Sequence, residues 1–121
     1  MTPESAATIF NVSDLASAVN YYVEVLGFKI AFRYGEFAGL EYGNVLVYLS
    51  GPGHEGIKRA IGQGQLYIFC DEVDKYFQDI SAKGALVMAA PGDRAYGMRD
   101  FGIRDPDDNV LSFGKGLEAE Q

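Results

Sequence analysis

One unit, a strand followed by a helix and three more strands, occurs twice in this chain of 121 residues. Both predicted helices end at a glycine, and Gly27 and Gly84 lie 57 positions apart (84 − 27). The last strands of the two units share the letters NVL, at 44–46 and 109–111, and the two asparagines lie 65 positions apart (109 − 44). The second unit therefore has about eight extra residues (65 − 57), and the duplication predicts two similar modules.

The first unit has the pattern of one strand, one amphipathic helix and three strands. Residues 8–12 form a short strand, after which Ser13 or Asp14 offers a helix N-cap. Gly27 ends the helix as a left-handed cap. Three strands follow at about 28–34, 37–42 and 45–49. The apolar stripe of the helix consists of Leu15, Ala18, Val19, Tyr22 and Leu26.

The second unit repeats this pattern after a Gly-rich linker at about 51–64. Residues 65–70 predict a strand, and apolar positions between Val73 and Ile80 predict a helix that ends at Gly84. Strands are expected at about 86–89, 99–104 and 110–113, with the extra residues in a loop at 90–95 and a tight turn, DPDDN, at 105–109. We expect a single domain over 1–121, with module one at about 5–50 and module two at about 65–115.

Each unit is expected to fold into a curved mixed sheet with its helix on the convex side, which predicts an α+β fold of two tandem βαβββ modules. The concave side mixes apolar, aromatic and polar side chains, as a ligand site does. Asn11 and Gln65 are informative, because polar groups on an inward sheet face need partners or a ligand. The side chains predicted on the concave side are Ala7, Ile9, Asn11, Val47, Gln65, Tyr67, Phe69 and Ser112.

Charge and composition restrict the partners. The formal net charge of −7 argues against non-specific nucleic-acid binding and is compatible with a cationic ligand. No apolar run approaches the roughly 20 residues that span a bilayer. The first residues lack the basic start and apolar stretch of a secretory signal, so we expect a cytoplasmic location and no membrane partner. The single cysteine, Cys70, is expected to be a buried, inert thiol.

Two groups of motifs carry a family resemblance that covers essentially the whole chain. The first is VSDL at 12–15 with YYVEVLGF at 21–28, and the second is YGMRDF at 96–101 with RDPDDN at 104–109. Together with the repeat they resemble the glyoxalase/bleomycin resistance protein/dioxygenase superfamily, also called the vicinal oxygen chelate superfamily. The family usually has Gly at the position of Asp108, which we expect to adopt the left-handed turn conformation at modest cost.

Within the superfamily the chain most resembles the bleomycin-binding resistance proteins, through IAFRYGEFAG at 30–39 and YGMRDF at 96–101. Members of that group are homodimers whose concave sheets, shared between subunits, form two clefts that bind the drug without chemistry. The resemblance implies stacking of a planar ligand on Phe37 and Tyr96, with Phe32 nearby. Tyr96 replaces the Trp usual in that group and offers a smaller surface. The ligand-binding residues predicted are Phe32, Phe37, Tyr96, Asn11, Gln65, Tyr67 and Ser112.

Metal-dependent relatives hold their ion with one side chain from the first and last strand of each module. The resemblance matches these positions to Ala7, Val47, Gln65 and Ser112. Ala and Val cannot bind a metal, and Gln with Ser would leave a divalent ion without compensating charge. The only histidine, His54, lies in the linker, where we expect a solvated side chain.

The sequence therefore predicts no metal, no other cofactor and no catalytic residue. The predicted function is a non-catalytic binding protein that sequesters a planar antibiotic, and a cationic one would suit the acidic chain. A carrier of another planar natural product is not separated from this function by the sequence. The alternative is a metal-dependent glyoxalase-type lyase or extradiol-type dioxygenase, which would use Gln65 and unrecognised ligands.

Overall fold

The computed structural model describes residues 1–117, in which the strand–helix–three-strand order occurs twice. Module one consists of β1 (Thr8–Asn11), α1 (Leu15–Asn20) with a π-helical continuation (Tyr21–Val25), β2 (Lys29–Tyr34), β3 (Phe37–Tyr42) and β4 (Val45–Ser50). Module two consists of β5 (Gln65–Phe69), α2 (Val73–Ala82), β6 (Leu86–Asp93), β7 (Met98–Arg104) and β8 (Val110–Gly116). Within 1–117, no helix has the length and apolar character needed to cross a membrane.

Each module forms its own four-stranded mixed sheet. The strand order is β1-β4-β3-β2 in sheet one and β5-β8-β7-β6 in sheet two. The β1–β4 and β5–β8 pairs are parallel, and the other pairs are antiparallel. Helix α1 packs on β3 and β4, and α2 packs on β6, β7 and β8. The predicted α+β fold of tandem βαβββ modules is therefore confirmed.

We call the side of each sheet that faces away from its helix the open face. On sheet one it carries Ile9, Phe37 and Tyr48, and on sheet two it carries Tyr67, Asp100 and Ser112. The alternate residues of the same strands, such as Leu49 and Phe101, are buried in the core against the helices.

Local sequence sets the ends of the first helix. The side chain of Asp14 accepts a hydrogen bond at 3.1 Å from the backbone three residues on, so Asp14 rather than Ser13 is the N-cap. All five side chains of the predicted apolar stripe are buried. Past α1 the helix widens into a π-helical turn, with the N–H of Leu26 donating to the oxygen of Tyr21 at 3.2 Å, which the 3.6-residue period did not predict. Gly27 then ends the helix with φ +89°.

The extra residues of module two lie mostly within a strand. Strand β6 extends to Asp93, so the prediction of a strand at 86–89 followed by a loop at 90–95 is wrong. The ladder with β7 shifts register between Val87 and Ala89 and again between Ala89 and Gly92. These bulges absorb the added length, and Pro91 is tolerated because β6 is an edge strand.

Val47 does not lie on the open face, and the prediction that placed it there is wrong. Its side chain is fully buried in the core, and its neighbour Tyr48 takes the open-face position. Matching Asn44 to Asn109 placed β4 one residue out of register with β8. The match fails because two residues connect β3 to β4 whereas five connect β7 to β8. A shift of one residue moves every side chain of a strand to the other face. Ser112 is therefore the structural counterpart of Tyr48.

The turn at 105–109 joins module two to the first helix. The hydroxyl of Tyr22 donates to Oδ2 of Asp105 at 2.9 Å, and the hydroxyl of Tyr21 donates to the carbonyl of Arg104 at 2.9 Å. Asp105 is fully buried, and burial raises its pKa despite these and further hydrogen bonds. Asp108 adopts φ +76°, as predicted for this turn.

Candidate functional site

A buried carboxylate organises the open face of sheet two. Asp100 is 5% exposed and accepts hydrogen bonds from three side chains. The hydroxyls of Tyr96, at 2.6 Å, and Tyr67, at 2.8 Å, both donate to Oδ2, while Nε of Arg94 donates to Oδ1 at 2.8 Å. Arg94 also donates to the backbone oxygens of Ala90 and Asp100, so its guanidinium is held from several sides. We call Asp100, Arg94, Tyr67 and Tyr96 the Asp100 cluster.

The backbone of sheet two makes this cluster possible. Phe101 points into the core with 1% exposed, so Asp100 points to the open face. Asp100 pairs across the ladder with Gly114 of β8. A Cβ atom on Gly114 would collide with the hydroxyl of Tyr67. Glycine at 114 therefore allows the Tyr67 ring to cross β8 and reach Asp100.

The cluster holds Asp100 in its charged form. Burial acts to raise the pKa of Asp100, but the hydrogen bonds from Tyr96, Arg94 and Tyr67 outweigh burial and hold the pKa below its usual range. The phenols respond in the opposite direction. Burial and the hydrogen bond to Asp100 raise the pKa of Tyr67, and the hydrogen bond to Asp100 is the main cause that raises the pKa of Tyr96. Both tyrosines therefore stay neutral donors over the physiological pH range.

Four rings form an aromatic cluster on the open face of sheet one. Phe37 lies between Phe32, at a ring-centroid distance of 6.0 Å, and His54, at 4.4 Å, and both pairs are stacked with an interplanar angle of 29°. Tyr48 meets Phe32 and Phe37 edge-on, at 5.1 and 5.6 Å. Gly39 leaves the space in which the Phe32 ring lies. We call Phe32, Phe37, Tyr48 and His54 the aromatic cluster.

The linker at 51–64 contributes to this cluster. His54 is half-buried and stacks on Phe37, a contact that the expectation of a solvated side chain did not include. Nζ of Lys58 donates to Oγ of Ser50 at 2.8 Å and to the carbonyl of Gly51 at 2.6 Å. The linker is thus attached to the end of β4, and the N–H of His54 also donates to the carbonyl of Gly51 at 3.1 Å, which holds His54 near sheet one.

The other predicted site residues are more scattered. Ser112 pairs with Tyr67 on the open face of sheet two. Gln65 lies exposed at the start of β5. Asn11 is 6% exposed, and its side-chain oxygen has no hydrogen-bond partner among the residues that the structure describes. A buried amide oxygen without a partner is costly, so Asn11 stays a predicted ligand contact.

The predicted site residues therefore fall into two groups rather than one. Phe32 and Phe37 meet on sheet one, while Tyr67 and Tyr96 meet on sheet two. Within residues 1–117, no hydrogen bond or ring contact joins the two clusters. Both remain open to a ligand, since Phe32 is 38% and Tyr96 is 67% exposed.

Sequence reasoning missed four members of these clusters. Asp100 would have been found from its alternation with the core residue Phe101 in β7. Tyr48 would have been found by assigning Leu49 to the core, because side chains alternate along β4 and Tyr48 then lies on the open face. His54 had no local signal, because its stacking depends on the path of the linker. Arg94 reaches Asp100 only through the bulged β6–β7 hairpin, which the sequence pattern did not show.

The metal positions assigned by resemblance do not fit a divalent ion. With the corrected register they carry Ala7, Tyr48 in place of Val47, Gln65 and Ser112, a set without carboxylate or imidazole. Among the described residues, His, Cys, Asp and Glu side chains form no group of three or more placed to hold a metal ion.

The family comparison covers almost the whole chain. Residues 5–113 match the sequence model of the family described as the Glyoxalase/Bleomycin resistance protein/Dioxygenase superfamily. A "Bleomycin resistance protein" of Geobacillus stearothermophilus is 26% identical over 123 residues, which cover 89% of this chain and 93% of the relative. A protein of the same name from Staphylococcus aureus (strain MRSA252) gives the same values.

Solved structures share the fold. TioX from Micromonospora sp. ML1 has a TM-score of 0.80 at 24% identity and covers 94% of this chain and 100% of its own. A lactoylglutathione lyase from Agrobacterium tumefaciens has a TM-score of 0.76 at 24% identity and covers 96% of both chains. At such identities these structures establish the fold alone.

Proposed function

Since this chain belongs to the glyoxalase/bleomycin resistance protein/dioxygenase superfamily, we propose that it is a non-catalytic small-molecule binding protein of the bleomycin-resistance type. The proposed ligand is a planar antibiotic, which the protein sequesters in a cleft at the interface of a homodimer. The observation that carries the proposal is the presence of exposed aromatic rings on both open faces.

The rings suit a flat ligand. Phe32 and Phe37 are stacked within 29° of parallel, so they offer a surface on which a planar heteroaromatic group can lie. The hydroxyl of Tyr96 is tied to Asp100, while two thirds of the residue is exposed. Each aromatic contact contributes about 0.5–1.5 kcal/mol beyond area burial. Several such contacts can hold a drug without forming a covalent bond.

A homodimer would complete the cleft. The two clusters lie on separate sheets of one chain, and several large apolar side chains outside the core are exposed. Those on the open faces include Ile9 at 53%, Tyr34 at 79% and Phe69 at 76%. Exposed apolar surface of this kind is typical of protein–protein interfaces. In the proposed dimer, sheet one of each subunit faces sheet two of its partner, so that each cleft contains one cluster of each kind.

Charge favours a cationic drug at long range. The chain carries a formal net charge of −7, which attracts cations during diffusional encounter. Within the Asp100 cluster, Arg94 neutralises the carboxylate, so the cleft wall is polar rather than strongly charged. We therefore expect stacking to supply most of the affinity and charge to affect mainly the association rate.

Bleomycin is the ligand to test first, because it is named in the relatives of this chain. The chain has eight tyrosines and no tryptophan, so intrinsic tyrosine fluorescence reports on the clusters. Titration should quench this fluorescence and saturate at one drug molecule per subunit. Phe37→Leu keeps the apolar volume and removes the stacking surface, and should weaken binding about fivefold. Tyr42→Leu, on the opposite side of sheet one, is the matched control and should leave drug affinity unchanged.

Other results would reject particular parts of the proposal. No response at high micromolar drug rejects bleomycin itself and directs the search to other planar natural products. A monomer in analytical ultracentrifugation removes the shared cleft. Stoichiometric, tightly bound nickel, zinc or iron in the purified protein would instead support a metal-dependent lyase or dioxygenase.

A further inference from the structure

A cleft of about 480 Å³ opens between α2 and the β3–β4 turn, and Phe69 at the end of β5 is the one lining residue that belongs to an open face. Its walls include four rings in edge-on succession. Tyr42 meets Phe28 at 5.5 Å and Tyr76 at 5.9 Å, and Tyr76 meets Phe113 at 4.9 Å. None of these rings belongs to the aromatic cluster or to the Asp100 cluster, so the cleft is separate from the proposed drug site.

The duplication explains why a cleft exists here. Beside α1 the equivalent space is filled by the five-residue turn at 105–109, in which Asp107 accepts from the N–H of Ser13 at 3.1 Å and Asp105 accepts from Tyr22 at 2.9 Å. Beside α2 the matching turn has only residues 43 and 44 between its strands. This shorter turn leaves a space between α2 and β3 that the chain's own residues fill in the other module.

The walls of the cleft are held in place before any ligand arrives. The hydroxyl of Tyr76 donates to the carbonyl of Leu26 at 2.6 Å, which fixes the ring against the first module. Phe113 is 4% exposed and Phe28 is 2% exposed, so both are locked in the core. Tyr42 is 46% exposed and forms the outer wall. A rigid wall of this kind lowers the entropic cost of binding.

The rim of the cleft is acidic. Three carboxylates, those of Asp71, Glu72 and Asp79, line it together with one ammonium, that of Lys75. Lys75 pairs with Asp79 at 3.1 Å. Within the part of the chain that the structure describes, Asp71 and Glu72 take part in no salt bridge, and the Glu72 side chain makes no capping hydrogen bond to α2. Among the described residues, Asp71 and Glu72 therefore line the cleft without a salt bridge, and Oδ1 of Asp71 accepts a hydrogen bond from the N–H of Glu72 at 2.8 Å.

We propose that this cleft is a second binding site, for a small organic cation with an aromatic or apolar body. The body would lie against the rings of Tyr42 and Tyr76. These rings offer apolar contact to the body, and their faces also attract the positive charge of the ligand. The charged head would lie near Asp71 and Glu72. An anion is disfavoured by the rim, and a neutral aromatic compound gains only the contact with the walls. This proposal does not depend on drug binding at the open faces.

Benzyltrimethylammonium is a suitable probe, and benzyl alcohol is its neutral control. In a ¹H–¹⁵N NMR titration, the amides of residues 42–45 and 70–76 should shift and saturate, with a dissociation constant on the order of 1 mM for a ligand of this size. Benzyl alcohol should bind at least about fivefold more weakly, because it lacks the cation–π and ionic contacts. Amides around Phe37 and Asp100 should not move.

Two substitutions test the contacts separately. Tyr42→Leu removes one ring wall, and Glu72→Gln removes one rim charge from an exposed position that leaves the fold intact; each should weaken the probe about threefold to fivefold. Glu24→Gln, at an exposed acid of the first helix, is the matched control and should bind the probe as the wild type does. Equal binding of benzyl alcohol, an unchanged affinity of Glu72→Gln, or shifts confined to the open faces would each overturn the proposal.

Discussion

The open faces of the two sheets are built on the same backbone pattern but fix their aromatic rings by different means. On sheet one, Phe32 is held by contact with other rings, and it lies on the edge strand β2, all six residues of which are exposed. On sheet two, Tyr67 and Tyr96 are held by hydrogen bonds to one buried carboxylate. Ring packing allows small displacements, whereas a hydrogen bond near 2.7 Å specifies both distance and direction.

This difference predicts that the two clusters contribute differently to ligand binding in the proposed cleft. The Asp100 cluster is preorganised, since the side chains of Arg94 and both tyrosines are fixed on Asp100 by hydrogen bonds within the chain. The aromatic cluster can adapt to the thickness and tilt of a planar group. A preorganised wall limits the entropic cost of binding, and an adaptable wall broadens the range of ligands.

The largest expected effect tests the register that distinguishes the two sheets. Val47→Asn should lower the free energy of unfolding by about 3 kcal/mol, because an amide would be buried in the core without partners. Ser112→Asn, at the position that sequence matching paired with Val47, should cost less than about 1 kcal/mol, since Ser112 is on the open face. Urea denaturation measures both. Equal losses would show that the two residues face the same way.

The next effect comes from the centre of the Asp100 cluster. Asp100→Asn should lower the free energy of unfolding by about 2 kcal/mol at neutral pH, because charge-assisted hydrogen bonds become neutral ones. The folded pKa of Asp100 lies below its ordinary value of 3.8, so its stabilisation is complete above that value and is lost as the pH falls through the lowered pKa. The stability difference between wild type and variant should therefore shrink on acidification below 3.8.

Phe37→Leu is the control for this pH dependence. Its effect on stability comes from packing in the aromatic cluster and should not change between neutral and acidic pH. A constant difference between wild type and Asp100→Asn across the same range would show that the charge of Asp100 does not stabilise the fold.

Much of the fold follows from local sequence signals. The helix caps at Asp14 and Gly27, the buried stripe of the first helix and the left-handed turn at Asp108 each depend on residues within one or two turns of chain. The family followed from such motifs combined with the repeat, and the comparison confirms it. Signals of this short range can be identified in the sequence without knowledge of tertiary contacts.

The site required information that the sequence pattern does not contain. Asp100 and Arg99 are neighbours in β7, but they point to opposite faces, and Arg99 pairs with Asp74 at 2.8 Å whereas Asp100 pairs with Arg94. The correct partner depends on bulges in β6 that set the hairpin register. His54 likewise reaches Phe37 through the path of the linker. Such contacts are set by tertiary geometry rather than by periodicity.

Alanine substitutions at Gly114 and Gly39 test how firmly each open face holds the ring that lies over its glycine. A Cβ at Gly114 would displace the Tyr67 hydroxyl and approach Cβ of Asp100 at 3.0 Å, so Gly114→Ala should cost about 1–2 kcal/mol. The three atoms nearest to a Cβ at Gly39 all belong to the Phe32 ring, which can swing outward from an edge strand, so Gly39→Ala should cost less than about 1 kcal/mol. Thermal unfolding compares them. The reverse order would contradict the contrast between a fixed and an adaptable face.

The smallest effect isolates the hydroxyl of Tyr96 from its ring. Tyr96→Phe keeps the stacking surface and removes one donor to Asp100, while Tyr67 and Arg94 still hold the carboxylate. Affinity for the planar ligand should fall only about twofold, because the ring loses orientation rather than area. The Tyr96→Leu variant, which lacks the ring, should bind the planar ligand about fivefold more weakly than the wild type. If the two variants bind equally weakly, the hydroxyl itself contacts the ligand, and the role of Asp100 is to orient a hydrogen-bond donor rather than a stacking surface.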